Sequence, residues 1–346
     1  MIVRLLTAVS FLALLTGCGD GQPFFDDGAV DPVDPVDPVD PDDGSLDPGV
    51  DLPPGTTEPS PGNGILRYEA RNDQGGGLVT DVSYDSATDT FSVDNLGFDG
   101  ANVYQRGSPV GTLNGFAVYE ADVEASDFLT GNPINQIVPY RALLGISTND
   151  IDGEARTSFA IVRTGGYVDY GFGGFIYERN GEVVLPTTGQ ATFSGDYAGI
   201  RVFEARGGLE YTTGDMTIDI DFEDFNANNA VKGEISNRLA FDENGVAIPL
   251  GGTDQLVLPD LRFVIQEGAP SIDENGELRG ELNSVILNEN GALELYEEGV
   301  YYGIIAGDTT SLGDGGEIVG VVVIESEDPR FEGVTAQETG GFILYR

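Results

Sequence analysis

Histidine is absent from this chain of 346 residues, and cysteine and lysine each occur once, at Cys18 and Lys232. Without imidazole there is no Ser-His-Asp or Cys-His machinery, and no zinc site built on imidazole or paired thiolates. A lone cysteine closes no disulfide within the chain, so a core must hold the fold. Cations are scarce: 16 Lys and Arg stand against 59 Asp and Glu, a net charge of −43. Phosphate backbones need clustered Lys and Arg, which excludes nucleic acid as a partner. Such acidity suits solubility in a salty medium, or attracts cations or a basic partner. The apolar run at 5–15 is too short to span a bilayer. With no catalytic constellation in view, the expectation is a protein that is not an enzyme and carries no cofactor and no metal.

What is present begins with a leader. Residues 1–17 carry one basic residue, Arg4, then the apolar run, as a cleaved signal peptide does. The run ends in Leu15, Thr16, Gly17 and Cys18, which resembles the lipobox of bacterial lipoproteins. That resemblance implies cleavage before Cys18 and lipid attachment through it, with several acyl chains anchoring more firmly than one. Residues 18–64 then read as a disordered tether. Val-Asp-Pro occurs four times in succession, from Val30, Val33, Val36 and Val39. Proline fixes φ and the aspartates repel, so extended conformations reach on the order of 130 Å at ~3.1 Å per residue.

The region 65–185 shows strand patterns at 65–71, 78–85, 89–95, 102–106, 115–122, 138–146, 155–163 and 167–179. A turn is expected at 85–89, a tight hairpin at 164–166, and one or two helical turns at 121–130. Aromatics occupy both faces of 167–177. They read either as core or as an exposed shelf for a partner, and burial of Tyr167, Phe175 and Tyr177 separates the two.

Eight further strand patterns follow, at 189–203, 215–223, 231–238, 261–266, 279–287, 299–306, 317–324 and 340–345. Eight antiparallel strands close into a barrel whose interior side chains just fill. In 216–223 the alternation is strict, placing Asp219, Asp221 and Glu223 on a wet face where nothing desolvates a carboxyl for glycosidase chemistry. Three connectors repeat Asp/Asn-Glu-Asn-Gly, at 242–245, 273–276 and 288–291. Their spacing departs from a calcium loop and fits hairpin turns with positive φ at Asn and Gly.

The pattern Gly189, Ala191, Phe193, Gly195, Tyr197, Gly199 resembles the first barrel strand of the transferrin-binding protein B-like surface lipoproteins. Residues Ala336 to Phe342, with Gly340 and Gly341, are similar to that family's last strand, and Tyr301, Tyr302, Gly303 to an aromatic-Gly strand before it. The resemblance covers about the last 160 residues. It implies an all-β chain: an N-terminal handle-like antiparallel β region (65–185), then an eight-stranded antiparallel up-and-down β-barrel (186–346). It further implies a lipid-anchored, non-enzymatic protein at the outer-membrane surface of a Gram-negative bacterium. Its partners would be an extracellular protein or iron-carrying ligand and an outer-membrane transporter, in iron or solute acquisition. Two other readings compete: a structural or adhesive envelope lipoprotein without a solute, and a small-ligand carrier, which needs an open lumen. A binder should expose aromatics and Arg, for instance around Tyr167, Tyr170 or Arg201.

Overall fold

Alternating apolar and polar residues bury one side of a strand and wet the other, and the computed structural model is built almost wholly of such strands. It describes residues 50–346 apart from 98, 127–128, 136–138, 167–168, 225–229, 249–256, 266–270, 289 and 314. The leader, Cys18, Tyr167 and the tether up to residue 49 lie outside the described residues. Among the described residues the only helical element is the 3-10 turn Phe222–Asp224, and no helix is long and apolar enough to cross a membrane.

The first half forms one curled antiparallel sheet. Its main strands are β1 (Ile65–Tyr68), β2 (Val82–Asp85), β3 (Thr90–Val93), β4 (Val103–Arg106), β5 (Phe116–Glu120), β6 (Arg141–Ile146), β7 (Thr157–Arg163) and β8 (Gly173–Arg179), with the two-residue Thr112–Leu113 paired to β5. They lie in the order β1-β8-β7-β6-β5-β4-β3-β2. In β7, Ala160 and Val162 face one core with Phe91, Tyr104 and Tyr119, whereas Phe159 and Ile161 face the second half of the chain. The central strands β6 to β8 are therefore covered on both faces, which explains their near-continuous apolar runs.

The second half is the closed barrel. Strands β9 (Gln190–Glu204), β10 (Leu209–Asp221), β11 (Val231–Asp242), β12 (Leu261–Phe263), β13 (Glu277–Leu287), β14 (Leu293–Asp308), β15 (Glu317–Glu327) and β16 (Thr335–Tyr345) each pair with the next. β16 returns to β9, with Tyr197 opposite Phe342, so no open edge runs the length of the sheet. One stretch of the interior is apolar, with Phe193, Ile218, Leu282, Tyr301, Val322 and Leu344. Phe263 and Tyr301 stack there at 3.6 Å, and Tyr197 lies so close over Gly340 that a Cβ would meet its hydroxyl at 2.1 Å and its ring at 2.2 Å. Among the described residues side chains fill this part of the lumen, which argues against a carrier of lipocalin type.

Beyond it the interior turns polar before a small apolar cluster of Phe203, Val334 and Ala336, and several strands run further than the sequence pattern predicts. β10 begins at Leu209, β14 at Leu293 and β16 at Thr335, and these added stretches bring Glu210, Thr212, Glu297 and Glu338 inside, all buried. Arg238, wholly buried, donates to Glu297 at 2.6 and 3.1 Å and to Glu338 at 3.1 Å. Tyr197 Oη donates to Glu338 at 2.6 Å and Ser284 Oγ to Glu297 at 2.6 Å. Buried charges persist only when paired in this way.

Three other expectations are corrected. Residues 124–126 form a short strand paired with Pro133–Asn135, where helical turns were expected at 121–130; the pairing satisfies backbone groups that one helical turn would leave open. The β7–β8 connection is wider than three residues, because β8 begins only at Gly173. The end of the expected tether, 50–64, lies on the body: Val50 is buried, Thr56 N donates to the Leu66 carbonyl at 3.0 Å and Tyr68 N to the Pro54 carbonyl at 3.0 Å. Arg179 supplies the reason. Buried, it donates to the carbonyls of Ser60, Asn63, Asn275 and Ile305 at 2.8 to 3.0 Å, and two of those acceptors belong to this segment.

The three repeated connectors share one construction. The first side chain accepts from two backbone amides, Asp242 from Asn244 and Val246, Asp273 from Asn275 and Glu277, Asn288 from Asn290 and Ala292, at 2.8 to 3.0 Å. Gly245, Gly276 and Gly291 have φ of +77°, +79° and +76°, and their amides return to the first carbonyl. In the first two, only the glycine takes positive φ, so each is a type I turn with a glycine bulge. The first oxygen is spent on the turn itself.

Candidate binding cleft

The handle sheet rests on the outer wall of the barrel. Phe159 packs edge-on against Phe116 at 4.9 Å and over Gly341, where a Cβ would meet its ring at 2.2 Å. Arg67 forks onto Glu277 at 2.7 and 2.8 Å. Thr157 and Ser147 donate to Glu317 at 2.7 and 2.9 Å, and Asn114 donates to the carbonyls of Tyr197 and Gly214 at 3.0 and 2.9 Å. Where β2 to β5 curl away from the barrel wall, a cleft of about 330 Å³ remains.

Its rim is organised by Asp89. Asp85 fixes the β2–β3 turn by accepting from Ala87 N and Thr88 Oγ1, both at 2.8 Å. Asp89, at φ +53°, closes that turn. Its carboxylate then receives Arg106 Nε at 2.9 Å and Nη2 at 2.6 Å, Tyr119 Oη at 2.8 Å and Tyr84 Oη at 3.2 Å. The hydrogen bonds from Arg106, then from Tyr119, hold the Asp89 carboxyl at about 2. Arg106 also lies 4.6 Å over the Tyr119 ring, a cation–π contact that fixes the plane of the guanidinium. A ladder of rings runs inward from this rim, Tyr84 to Tyr119 to Phe91 to Tyr104 to Tyr140, with centroids 5.8 to 6.4 Å apart. Below the rim the floor is apolar, with Phe116, Leu144, Ile146 and Ile343, and the far wall carries Asp196 and Tyr345. Ile146 and Tyr84 are exposed. The arrangement can seat an apolar or planar group on the floor while Arg106 and Asp196 meet polar parts of the same ligand.

The sequence-expected exposed residues are elsewhere. Tyr170 is buried, its hydroxyl 3.0 Å from Thr335 Oγ1. Arg201 is buried inside the barrel, between Glu210 at 3.5 Å and Glu338 at 3.9 Å. Phe175 and Tyr177 are buried as well, so the described aromatics of that strand are core. Asp219 is exposed and accepts from Thr192 at 2.6 Å, while Glu223 stands in the 3-10 turn; they form no site. No group of three or more metal-ligating side chains occurs among the described residues. Asp89, Arg106 and Tyr119 were missed because they come from a turn and two strands. The one local sign was the 85–89 turn, and only strand order brings the three together.

No protein-family model matches the chain, and no curated protein matches it. Among solved structures it is similar to a transferrin-binding protein B of Haemophilus parasuis Hp5, a vaccine antigen. That match has 12% identity over 78% of this chain and 45% of that one, with a TM-score of 0.33. Intact Ap-TbpB, with its N and C lobes, matches at 12% identity over 82% of this chain and 53% of that one, TM-score 0.32. A surface lipoprotein matches at 13% identity over 57% of this chain and 79% of that one, TM-score 0.26. The chain spans about half the length of the transferrin-binding proteins it matches.

Proposed function

We propose that the chain is a lipid-anchored, non-enzymatic binding protein of the outer-membrane surface, which takes a solute or an extracellular protein into the cleft between handle and barrel. The observation that carries this reading is the Asp89–Arg106–Tyr119–Tyr84 cluster at the rim of an apolar floor. Tyrosine and arginine dominate binding hot spots because they bury large area at low entropic cost. A carboxyl held at about 2 stays ionised and paired at neutral pH, so it serves recognition better than proton transfer. The lipobox at Cys18 and the acidic tether supply the anchor and the stand-off, and an outer-membrane transporter is the partner to which an acquired solute, such as an iron-carrying ligand, would pass.

Protease shaving of intact cells, blotted for the barrel beside a periplasmic control, tests the surface placement, and loss of the barrel signal alone is the expected result. Mass spectrometry of the mature N-terminus tests lipidation of Cys18; an unmodified thiol would overturn the anchor. For the cleft, the soluble body and its Arg106→Ala variant are incubated with spent growth medium and the retained molecules compared by mass spectrometry. A species held by the wild type and lost from the variant supports the reading, whereas identical retention favours a structural envelope protein without a solute.

A further inference from the structure

Exposed aliphatic side chains gather on one hairpin of the barrel. Val285 is paired with Leu295 and Leu287 with Leu293 across β13 and β14, and these four are 45%, 53%, 70% and 72% exposed. Residues i and i+2 of a strand share a face, and directly opposed residues share it too, so the four form one apolar stripe. A monomer has no folding reason to leave such a stripe in water.

The stripe continues into a chain of clefts. One of about 310 Å³ has Leu295, Glu281, Glu298 and Val300 in its walls. The next, about 490 Å³, shares Glu281 and Val300 with it and adds Phe175, Tyr302 and Val323 beside the segment 50–53. From Leu295 to Tyr302 the strand rises about 23 Å at ~3.3 Å per residue, the reach of an extended peptide of about seven residues. The charges along the track are mostly of one sign. Asp51, Glu281 and Glu298 are exposed, Arg262 has Glu234 and Asp260 within 4 Å, and Arg279 sits between Glu277 and Glu281 on the same face.

We propose that the outer face of the β13–β14 hairpin is a docking track for an extended cationic segment of another protein, with aliphatic residues alternating with Lys or Arg. Aliphatic side chains would enter the clefts at period two, and the intervening cations would meet the acids of the rim. Charge decides against the two other occupants at hand. A second copy brings another net −43, and the chain's own Val-Asp-Pro repeats carry valines at a suitable size but aspartate where a cation is needed. This inference is independent of the Asp89 cleft.

The test is fluorescence anisotropy with dye-labelled nine-residue peptides on the full mature chain at physiological salt. Peptides alternating Lys with Val, Leu or Phe are compared with Val-Glu and Ser-Lys controls. The expected result is saturable binding by at least one aliphatic or aromatic Lys peptide and at least tenfold weaker binding by both controls. Leu287→Ser with Leu293→Ser should weaken binding tenfold or more with an unchanged melting curve. Glu281→Gln with Glu298→Gln should flatten its salt dependence, and Leu312→Ser, at an exposed leucine outside the track, should leave binding unchanged. Hydrogen exchange should show protection confined to β13, β14 and 50–53. Equal binding of the Ser-Lys control would mean unspecific attraction to an acidic chain and overturn the proposal, as would failure of all three apolar peptides. Self-association of the free protein that Leu287→Ser abolishes would assign the face to a second copy and overturn it equally.

Discussion

Arg238 on β11 reaches across the barrel interior to Glu297 on β14, with two nitrogen–oxygen contacts of 2.6 and 3.1 Å in a place with no solvent exposure. Burial alone would lower the arginine, but Glu297 and Glu338 together hold it above its ordinary value. The pair ties opposite walls of the barrel where the apolar core ends.

Replacing one partner strands the others. Arg238→Met leaves buried Glu297 without its paired cation and Glu338 with only Arg201, 3.9 Å away, and is expected to destabilise the barrel by about 3–5 kcal/mol. Adding Glu297→Gln should restore part of the loss, because a double change removes both charges. Urea unfolding of the single and double variants measures this, and a double variant that loses the full sum of the two singles would refute the coupling.

Stability should fall on the acid side for a definable reason. Burial would raise Glu297, but Arg238 carries it below its ordinary value. Burial likewise opposes and the Arg330 hydrogen bond prevails at Asp328, which is also lowered. A lowered carboxyl stabilises the fold at pH above its unfolded value, about 4, and that contribution disappears as pH falls through the folded value. Melting temperature against pH should therefore drop below about pH 4, and Glu297→Gln should flatten the drop.

Asp273 behaves oppositely. Burial raises it despite two backbone hydrogen bonds, so its charge subtracts stability at neutral pH and not when protonated. Asn288 fills the same place in the third turn with the same two amide contacts. Asp273→Asn should keep the turn and raise neutral-pH stability, by on the order of 0.5–1 kcal/mol, with no gain at pH 3. An equal effect at both pH values would refute the assignment.

The handle is seated through Phe159. Its side chain is 1% exposed and lies on Gly341, so Phe159→Ala should cost about 3–5 kcal/mol. Gly341→Ala should destabilise by overpacking the same contact, about 1–3 kcal/mol or more. Limited proteolysis should then cut the 65–185 region before the barrel; simultaneous loss of both would mean that they unfold as one unit.

At the cleft, Arg106→Ala removes the largest influence on Asp89. Its carboxyl should move from about 2 toward the ordinary value of about 3.9, followed by carboxyl-carbon NMR, while the melting curve stays close to wild type because the pair is solvent-exposed. An unmoved titration would show that the tyrosine hydroxyls alone hold Asp89.

Period-two burial is a local property, so the chain's own pattern establishes an all-β protein and places most of its strands, though not their ends. Met216 to Phe222 shows it best, with Met216, Ile218, Ile220 and Phe222 buried and the residues between them more exposed. The glycine bulges were also legible as turns, though their type was not, since whether Asn joins Gly at positive φ depends on the pairing register. Polar residues turned inward broke the rule. Arg201 shares a face with Tyr197 and Phe203 and so lies inside, yet its charge argued for the surface; the partners that reverse this, Glu210 and Glu338, stand on other strands. The same holds for the cleft. Asp89 and Tyr119 are 30 residues apart and hydrogen-bonded at 2.8 Å, and Gly341 makes room for Phe159 from the other half of the chain. Hydrogen bonds and ring packing act over a few ångströms, so which distant residues they join was decided by strand order and barrel closure, which only the tertiary structure supplies.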